Sequence, residues 1–255
     1  KLYKTFAKYI ISQRILMVVL SIGFYYLIGI DGIIIGVGLS FFVYAYRLIK
    51  ECRGSKLDFS ILKPKRNFII HNYVTDLAGI LAGSLDKIII APMFGFIILG
   101  NYYLGIQFLT LLTLIPTLVY QYILPQDASG NPNKRLKFYT ILFSVGLSIA
   151  GVVLSPIVLP VLFPKFNEAI VVIQILSLSI VPGTINLTYI SKFMGNEKPK
   201  IVLIGSVMFI LIHVAGILTL GKLYSVNGVA ISFVLAVTSE MTYLFFMNKF
   251  IKIKK

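Results

Sequence analysis

The chain has 255 residues, of which 58% are hydrophobic and 13% charged, and a mean hydropathy of +0.91, values that exclude an ordinary soluble domain. Its net charge of +15 would suggest nucleic acid in a soluble protein. Here the charge sits on connections between apolar runs, where it meets anionic lipid headgroups, and no stacking groove or basic fold motif supports a nucleic-acid partner.

A helix needs about 20 apolar residues to cross a ~30 Å hydrocarbon core. Runs of that kind fall at 10–30, 32–49, 67–92, 98–124, 138–162, 168–191, 200–221 and 226–248. The expectation is an all-α integral membrane protein, a polytopic bundle of about eight transmembrane helices. The runs are too long for barrel strands and lack two-residue alternation. Of the 24 Lys and Arg residues, all but Lys87, Lys165 and Lys222 lie at the chain ends or on alternate connections. Lys/Arg excess marks the cytoplasmic side, so both termini are expected there, in a multi-pass plasma-membrane protein. The turns expected on the opposite side, 29–32, 93–97, 164–167 and 222–227, are too short to hold an extracellular domain. The longer connections, 50–66 and 125–137, are expected on the cytoplasmic side, with a turn over 127–133. The first of them divides the chain into an incomplete first part, 1–66, and a six-helix part, 67–255. Residue 1 is Lys, and the abrupt basic start reads as a fragment lacking its N-terminal part. Cys52 is the single cysteine, so no internal disulfide forms. With no Trp, the 15 Tyr residues must supply most interfacial anchoring.

Polar side chains inside such runs face protein or a water-filled cavity rather than lipid. Arg14, in the first run, is explained by snorkelling or by binding phosphate from a cavity wall. In the third run Asn72, Asp76, Gly79, Gly83 and Asp86 recur at helical spacing and share a face within roughly 80°. That face is either a packing seam or a cavity wall with a cation-coupling carboxylate. Asp76 is placed near the bilayer middle, where a desolvated carboxyl could exchange a proton near neutral pH. Asp86 and Lys87 lie nearer the outer end, and adjacent residues on a helix do not pair. Gln107, Thr110, Thr117 and Gln121 share a face of the fourth run, which Pro116 is expected to kink. Gln174, Ser177, Thr184, Thr188 and Ser191 do so in the sixth, beside Pro182. Such stripes suit sugar hydroxyls and equally suit helix–helix bonding. His213 reads as a structural hydrogen-bonding group ahead of a proton relay. Glu240 either pairs with Lys249 or an inner loop, or lines the cavity.

No phosphate-binding G-x-x-x-x-G-K-[ST] loop, metal-ligand spacing or G-x-S-x-G elbow occurs, so no cofactor or metal is expected and enzyme chemistry is disfavoured. A glycan polymerase or ligase would need a large outer loop carrying catalytic side chains.

Three stretches carry a family likeness. The first is Ser84-Leu85-Asp86-Lys87-Ile88-Ile89-Ile90, then Gly95 and Leu99-Gly100-Asn101-Tyr102-Tyr103. The second is Pro160-Val161-Leu162-Phe163-Pro164-Lys165-Phe166-Asn167-Glu168-Ala169, leading into Ile173-Gln174-Ile175-Leu176-Ser177. The third is Gly195-Asn196-Glu197-Lys198-Pro199-Lys200. At these residues the chain resembles the polysaccharide-flippase branch of the superfamily that also holds multidrug extruders and peptidoglycan lipid flippases. Asn101 departs from the pattern, separating a Gly and Tyr that members often place together.

The resemblance implies a two-lobed alternating-access transporter, here partial, with these runs standing for spans five to twelve of twelve. It implies movement of a polyprenyl-diphosphate-linked oligosaccharide, including O-antigen-type glycans, from inner to outer leaflet, driven by protons or sodium ions. Asp76, Glu240 and Asp86 would be the ion-coupling carboxylates. Lys87 and Arg14 would attract the diphosphate or acidic sugars, and Asn72, Gln107, Gln121, Gln174 and Thr184 would contact glycan. Partners would be membrane lipids and other polysaccharide-assembly proteins. The alternatives are a cation-coupled multidrug exporter on the same fold, a membrane glycan polymerase or ligase, and a non-transporting scaffold.

Overall fold

The computed structural model describes residues 2–45, 49 and 66–250, which are 91% helical with no strand among them. The basic connection 50–65 with Cys52, the end of the second apolar run, and residues 251–255 lie outside the described residues. The chain divides into two compact units, Lys1–Lys63 and Pro64–Lys255.

The first unit is a hairpin of α1 (Leu2–Ile28) and α2 (Ile30–Ser40). Gly29, at φ 75°, makes the turn in a backbone region that favours glycine. Gly32 then rests on the Phe24 carbonyl, and a Cβ on Gly36 would stand 2.6 Å from the Ser21 amide nitrogen. At the open end Gln13 Nε2 donates to Ser40 Oγ at 2.9 Å, with both side chains buried.

The second unit begins with α3 (Arg66–Phe94), turns at Gly95 (φ 88°), and continues through α4 (Phe96–Leu112) and α5 (Leu114–Ala128), which bend by 51°. The bend is at Thr113, one turn before Pro116, because proline offers no amide hydrogen to the Leu112 carbonyl and its ring crowds it. Asn133 caps α6 (Lys134–Leu162), its side chain accepting from the Leu136 amide at 3.0 Å. Next come α7 (Ala169–Ser177) and α8 (Ile180–Gly195), bent by 43° one turn before Pro182 for the same reason. α8 ends in a Schellman turn: Lys198 N bonds Phe193 O at 2.9 Å, Glu197 N bonds Met194 O at 3.1 Å, and Glu197 has φ 54°.

The last helix, α9 (Pro199–Phe250), is nominally 52 residues, which as a straight rod would measure about 78 Å. Instead Ser225 (φ 53°, ψ −134°) breaks it, and its arms fold back on each other. Gly228 closes on the Leu220 carbonyl, Gly216 on Ser232, and Gly205 on Glu240 and Tyr243. The turns expected near 29–32, 93–97, 164–167 and 222–227 are therefore all present, at Gly29, at Gly95, between α6 and α7, and at Ser225.

Among the described residues three helices can cross a membrane by length and composition, or up to five when each bent pair is one span, fewer than the eight runs expected. Much of the difference lies in the fold-back, which joins two runs into α9, and in α2, whose apolar helix is short. The distribution of side chains within α6 is compatible with a helix that faces lipid. Its buried face carries Thr140, Ser144, Ser148, Gly151 and Ser155 with one large residue, Leu159, while Phe138, Leu142, Ile149, Val153, Ile157 and Val161 are exposed. Small groups inward and large apolar groups outward is the packing expected where the surrounding solvent is hydrocarbon. In water this apolar surface would be an association hazard.

Candidate functional site

One apolar cluster draws together α3, α4, α7 and both arms of α9: Ile90, Tyr102, Val172, Leu176, Ile217 and Val229 are all buried in it. A line of polar groups runs through this cluster. Asp86, 5% exposed, accepts the Lys87 amide on Oδ1 at 2.7 Å and interacts with the Tyr102 hydroxyl. That hydroxyl lies 3.4 Å from His213 Nε2, and His213 Nδ1 lies 3.0 Å from Ser232 Oγ. Ser232 in turn donates to the Val229 carbonyl at 2.7 Å. The imidazole is packed by two rings, with centroids 5.7 Å away at Phe209 and 5.5 Å at Phe233. Buried polar groups survive in such an interior only when hydrogen-bonded, and this line meets that condition.

A second carboxylate sits farther along the same bundle. Glu240 Oε2 accepts from Asn186 Nδ2 of α8 at 3.1 Å. Asn186 is 4% exposed and also donates to the Val237 carbonyl at 3.2 Å, while its Oδ1 is buried without a hydrogen-bond partner. Of the two roles left open for Glu240, the structure shows it facing Asn186 within the bundle.

At the end of the bundle that carries the 129–133 connection, Asp127 is a buried helical residue, whereas the sequence placed it in a turn. Its Oδ2 receives Lys137 Nζ at 2.5 Å and Ser191 Oγ at 2.6 Å. The Asn131 amide closes the helix end on the Gln126 carbonyl at 3.1 Å, so the reversal begins at Ser129, after Asp127.

The remaining candidates are scattered. The side chain of Asp76 lies outside the described residues, and Asn72 is half-buried. The face they share with Asp86 is covered at Asp86 and open at Gly79. Lys87 is exposed and rests 4.9 Å over the Tyr103 ring, a cation–π contact. Arg14 is exposed on α1. Gln107 and Gln121 are exposed on α4 and α5, whose Thr110 and Thr117 hydroxyls donate to carbonyls of Ile106 and Thr113 at 2.8 and 2.9 Å.

Two expected glycan contacts are committed elsewhere. Thr184, 2% exposed, gives its hydroxyl to the Ile180 carbonyl of its own helix at 2.8 Å. Gln174 Nε2 donates to the Val152 carbonyl of α6 at 3.2 Å. The space enclosed by Pro116, Ile123, Thr140, Thr184 and Ser191 is about 10 Å³, so this part of the interior is filled rather than sugar-sized. A larger depression, about 760 Å³, is an open surface feature around 129–135.

Tyr102, Ser232 and Asn186 are functional candidates that the sequence did not single out. The signal was faint: each is an unremarkable polar residue until its long-range partner is known. Comparison of the chain with protein-family models, with curated proteins and with solved structures finds no match.

Proposed function

We propose that this protein is the membrane-embedded part of an ion-coupled transporter, with eight spans, that moves a lipid-linked oligosaccharide from the inner to the outer leaflet by alternating access. The observation that carries the reading is a buried carboxylate, Asp86, and a half-buried one, Glu240, among helices of one bundle, the second hydrogen-bonded by Asn186 of another helix. Ionisable groups inside a membrane bundle are costly, and they are characteristic of ion pathways and proton relays. The unpartnered Asn186 Oδ1 leaves an acceptor, on the amide that binds Glu240, for a hydrogen-bond donor or a cation at that site.

The eight-span reading takes each arm of α9 as a span, each bent pair as one broken span, and adds α2 and α3, which do not pass by length and composition, to the six spans so obtained. Broken helices are tolerated at membrane depth where they are buried in protein or border a cavity. Since the interior around Thr184 is filled, glycan contact falls to the exposed polar stripe, Gln107 and Gln121 with Thr110 and Thr117. Lys87, exposed over Tyr103, is placed to meet the diphosphate.

The test is reconstitution in vesicles with a fluorescent polyprenyl-diphosphate oligosaccharide under an imposed proton or sodium gradient. Gradient-driven translocation should fall at least about tenfold in Glu240→Gln and Asp86→Asn, matching the loss of a coupling group. Unchanged translocation in both variants would remove the carboxylates from the mechanism. Gradient-driven efflux of a small cationic dye, without glycan movement, would favour the multidrug-exporter reading.

A further inference from the structure

The exposed face of α6 changes character along the helix in a fixed order. Lys134 and Arg135 stand one turn before Phe138 and Tyr139, which stand one turn before Leu142 and Phe143, and all six are exposed. Residues four apart lie one above the other on a helix, so these are two adjoining columns, each with its cation at the end and a ring next to it. At 1.5 Å per residue the rings lie about 6 Å from the charges and the next apolar level about 12 Å away. A membrane surface has the same order, with phosphates outermost, then an interfacial belt that takes aromatic rings, then acyl chains. The Phe138 and Tyr139 rings meet edge to face with centroids 6.0 Å apart, so a packed pair holds the belt position.

The same two cations border the open depression of about 760 Å³, where Gln126, Ser129, Asn131 and Asn133 also line the wall. That volume falls within the roughly 300–1,000 Å³ of small-molecule sites. Its walls are fixed by hydrogen bonds of their own. Asp127 ties α5 to Lys137 of α6, the Ser129 hydroxyl and the Asn131 amide both bond the Gln126 carbonyl, and Asn133 caps α6. These bonds also settle which charges are free. Lys137 is taken by Asp127, and Lys192 Nζ donates to Asn248 Oδ1 at 2.6 Å. Among the described residues neither Lys134 nor Arg135 has a carboxylate partner, and both face the depression.

We propose that this end of α6 binds one anionic phospholipid, its phosphate held by Lys134 and Arg135 at the rim of the depression and its acyl chains laid along Phe138, Tyr139, Leu142 and Phe143. The Arg135 guanidinium suits two phosphate oxygens at once, and Lys134 adds a mobile point charge. The rest of the headgroup lies in the depression against Gln126 and Asn131. A free anion would answer the two cations and leave the ring pair one turn below them without a role. A lipid answers both, because its charge and its chains are joined at that spacing. The walls are already hydrogen-bonded, so binding orders little beyond the two cationic side chains. The site rests on the membrane placement of α6 and not on the transport reading.

The chain contains no Trp, so Tyr139→Trp places a single fluorescent reporter at the ring level. The test reconstitutes this variant in phosphatidylcholine vesicles that hold a small share of brominated phosphatidylglycerol or of brominated phosphatidylcholine, whose bromines quench tryptophan on contact. Phosphatidylglycerol should reach half-quenching at a roughly tenfold lower mole fraction, as two cations beside one phosphate imply. Lys134→Gln with Arg135→Gln should erase that difference. Phe96→Trp, an exposed position at the far end of the α4–α5 pair, should not show it. Equal quenching by the two lipids, a preference that survives loss of both cations, or the same preference at Phe96→Trp overturns the site. Excess inorganic phosphate should leave the preference in place, and its abolition would overturn the lipid in favour of a free anion. A reporter that neither lipid quenches would overturn the site by removing α6 from the membrane, and the transport reading would fall with it. Should Tyr139→Trp fail to fold, Phe138→Trp reports from the same level.

Discussion

Gln174 Nε2 donates to the Val152 carbonyl at 3.2 Å, and Val152 is the residue whose carbonyl Pro156 deprives of its helical donor. The side chain from α7 replaces the backbone hydrogen that α6 lacks, with Ser155 Oγ a weaker second donor at 3.3 Å. Replacing Gln174 by Ala should cost about 1 kcal/mol, the loss of one hydrogen bond, since Ser155 Oγ still meets the carbonyl. In a Pro156→Ala background, which restores the amide, the same change should cost less. Unfolding of the four proteins in mixed detergent micelles gives the coupling, and a zero coupling would refute the pairing.

The ion pair at the opposite end has a comparable logic. Lys137 and Asp127 are 15% and 2% exposed at their side chains. Asp127→Ala strands an ammonium and the Ser191 hydroxyl, and it should destabilise by about 3 kcal/mol. Asp127→Ala with Lys137→Met should be less damaging than Asp127→Ala alone, because the stranded charge is gone. Equal loss in the single and double variants, measured by the same unfolding assay, would rule the pair out as the cause.

Gly151 of α6 lies against Ser177 Oγ, and a Cβ there would also stand 2.9 Å from Leu112 Cδ1. Those two neighbours border the bends of the α4–α5 and α7–α8 pairs, so Gly151 seats both at one level. Gly151→Ala should cost about 1–3 kcal/mol by overpacking. Ser177→Gly in the same chain should recover part of it, since the nearest obstruction is the serine side chain. A thermal-unfolding comparison of the three variants checks this.

Ser225 holds φ 53° and ψ −134° at the reversal of α9, a conformation suited to glycine. Ser225→Gly should raise stability by about 1 kcal/mol, and Ser225→Val should lower it by more than that. Thermal midpoints in detergent would show both shifts.

Much of the helical layout follows from local rules acting on the sequence alone. Apolar runs become helices, Gly29 and Gly95 turn the chain, and Pro116 and Pro182 break it one turn upstream because a missing amide acts on a carbonyl at fixed spacing. Those effects need no distant partner. The roles of the polar residues did need one. Thr184, Gln174 and Gln121 look alike in the sequence, yet the first bonds its own helix, the second mends a neighbouring one, and the third is exposed. Asp86, Tyr102, His213 and Ser232 come from four helical segments, and only packing brings them into one line. Helical periodicity states which face a side chain shares. Whether that face meets lipid, solvent or another helix's unpaired acceptor is a property of the tertiary structure, because the free energy of a polar group is set by what it touches.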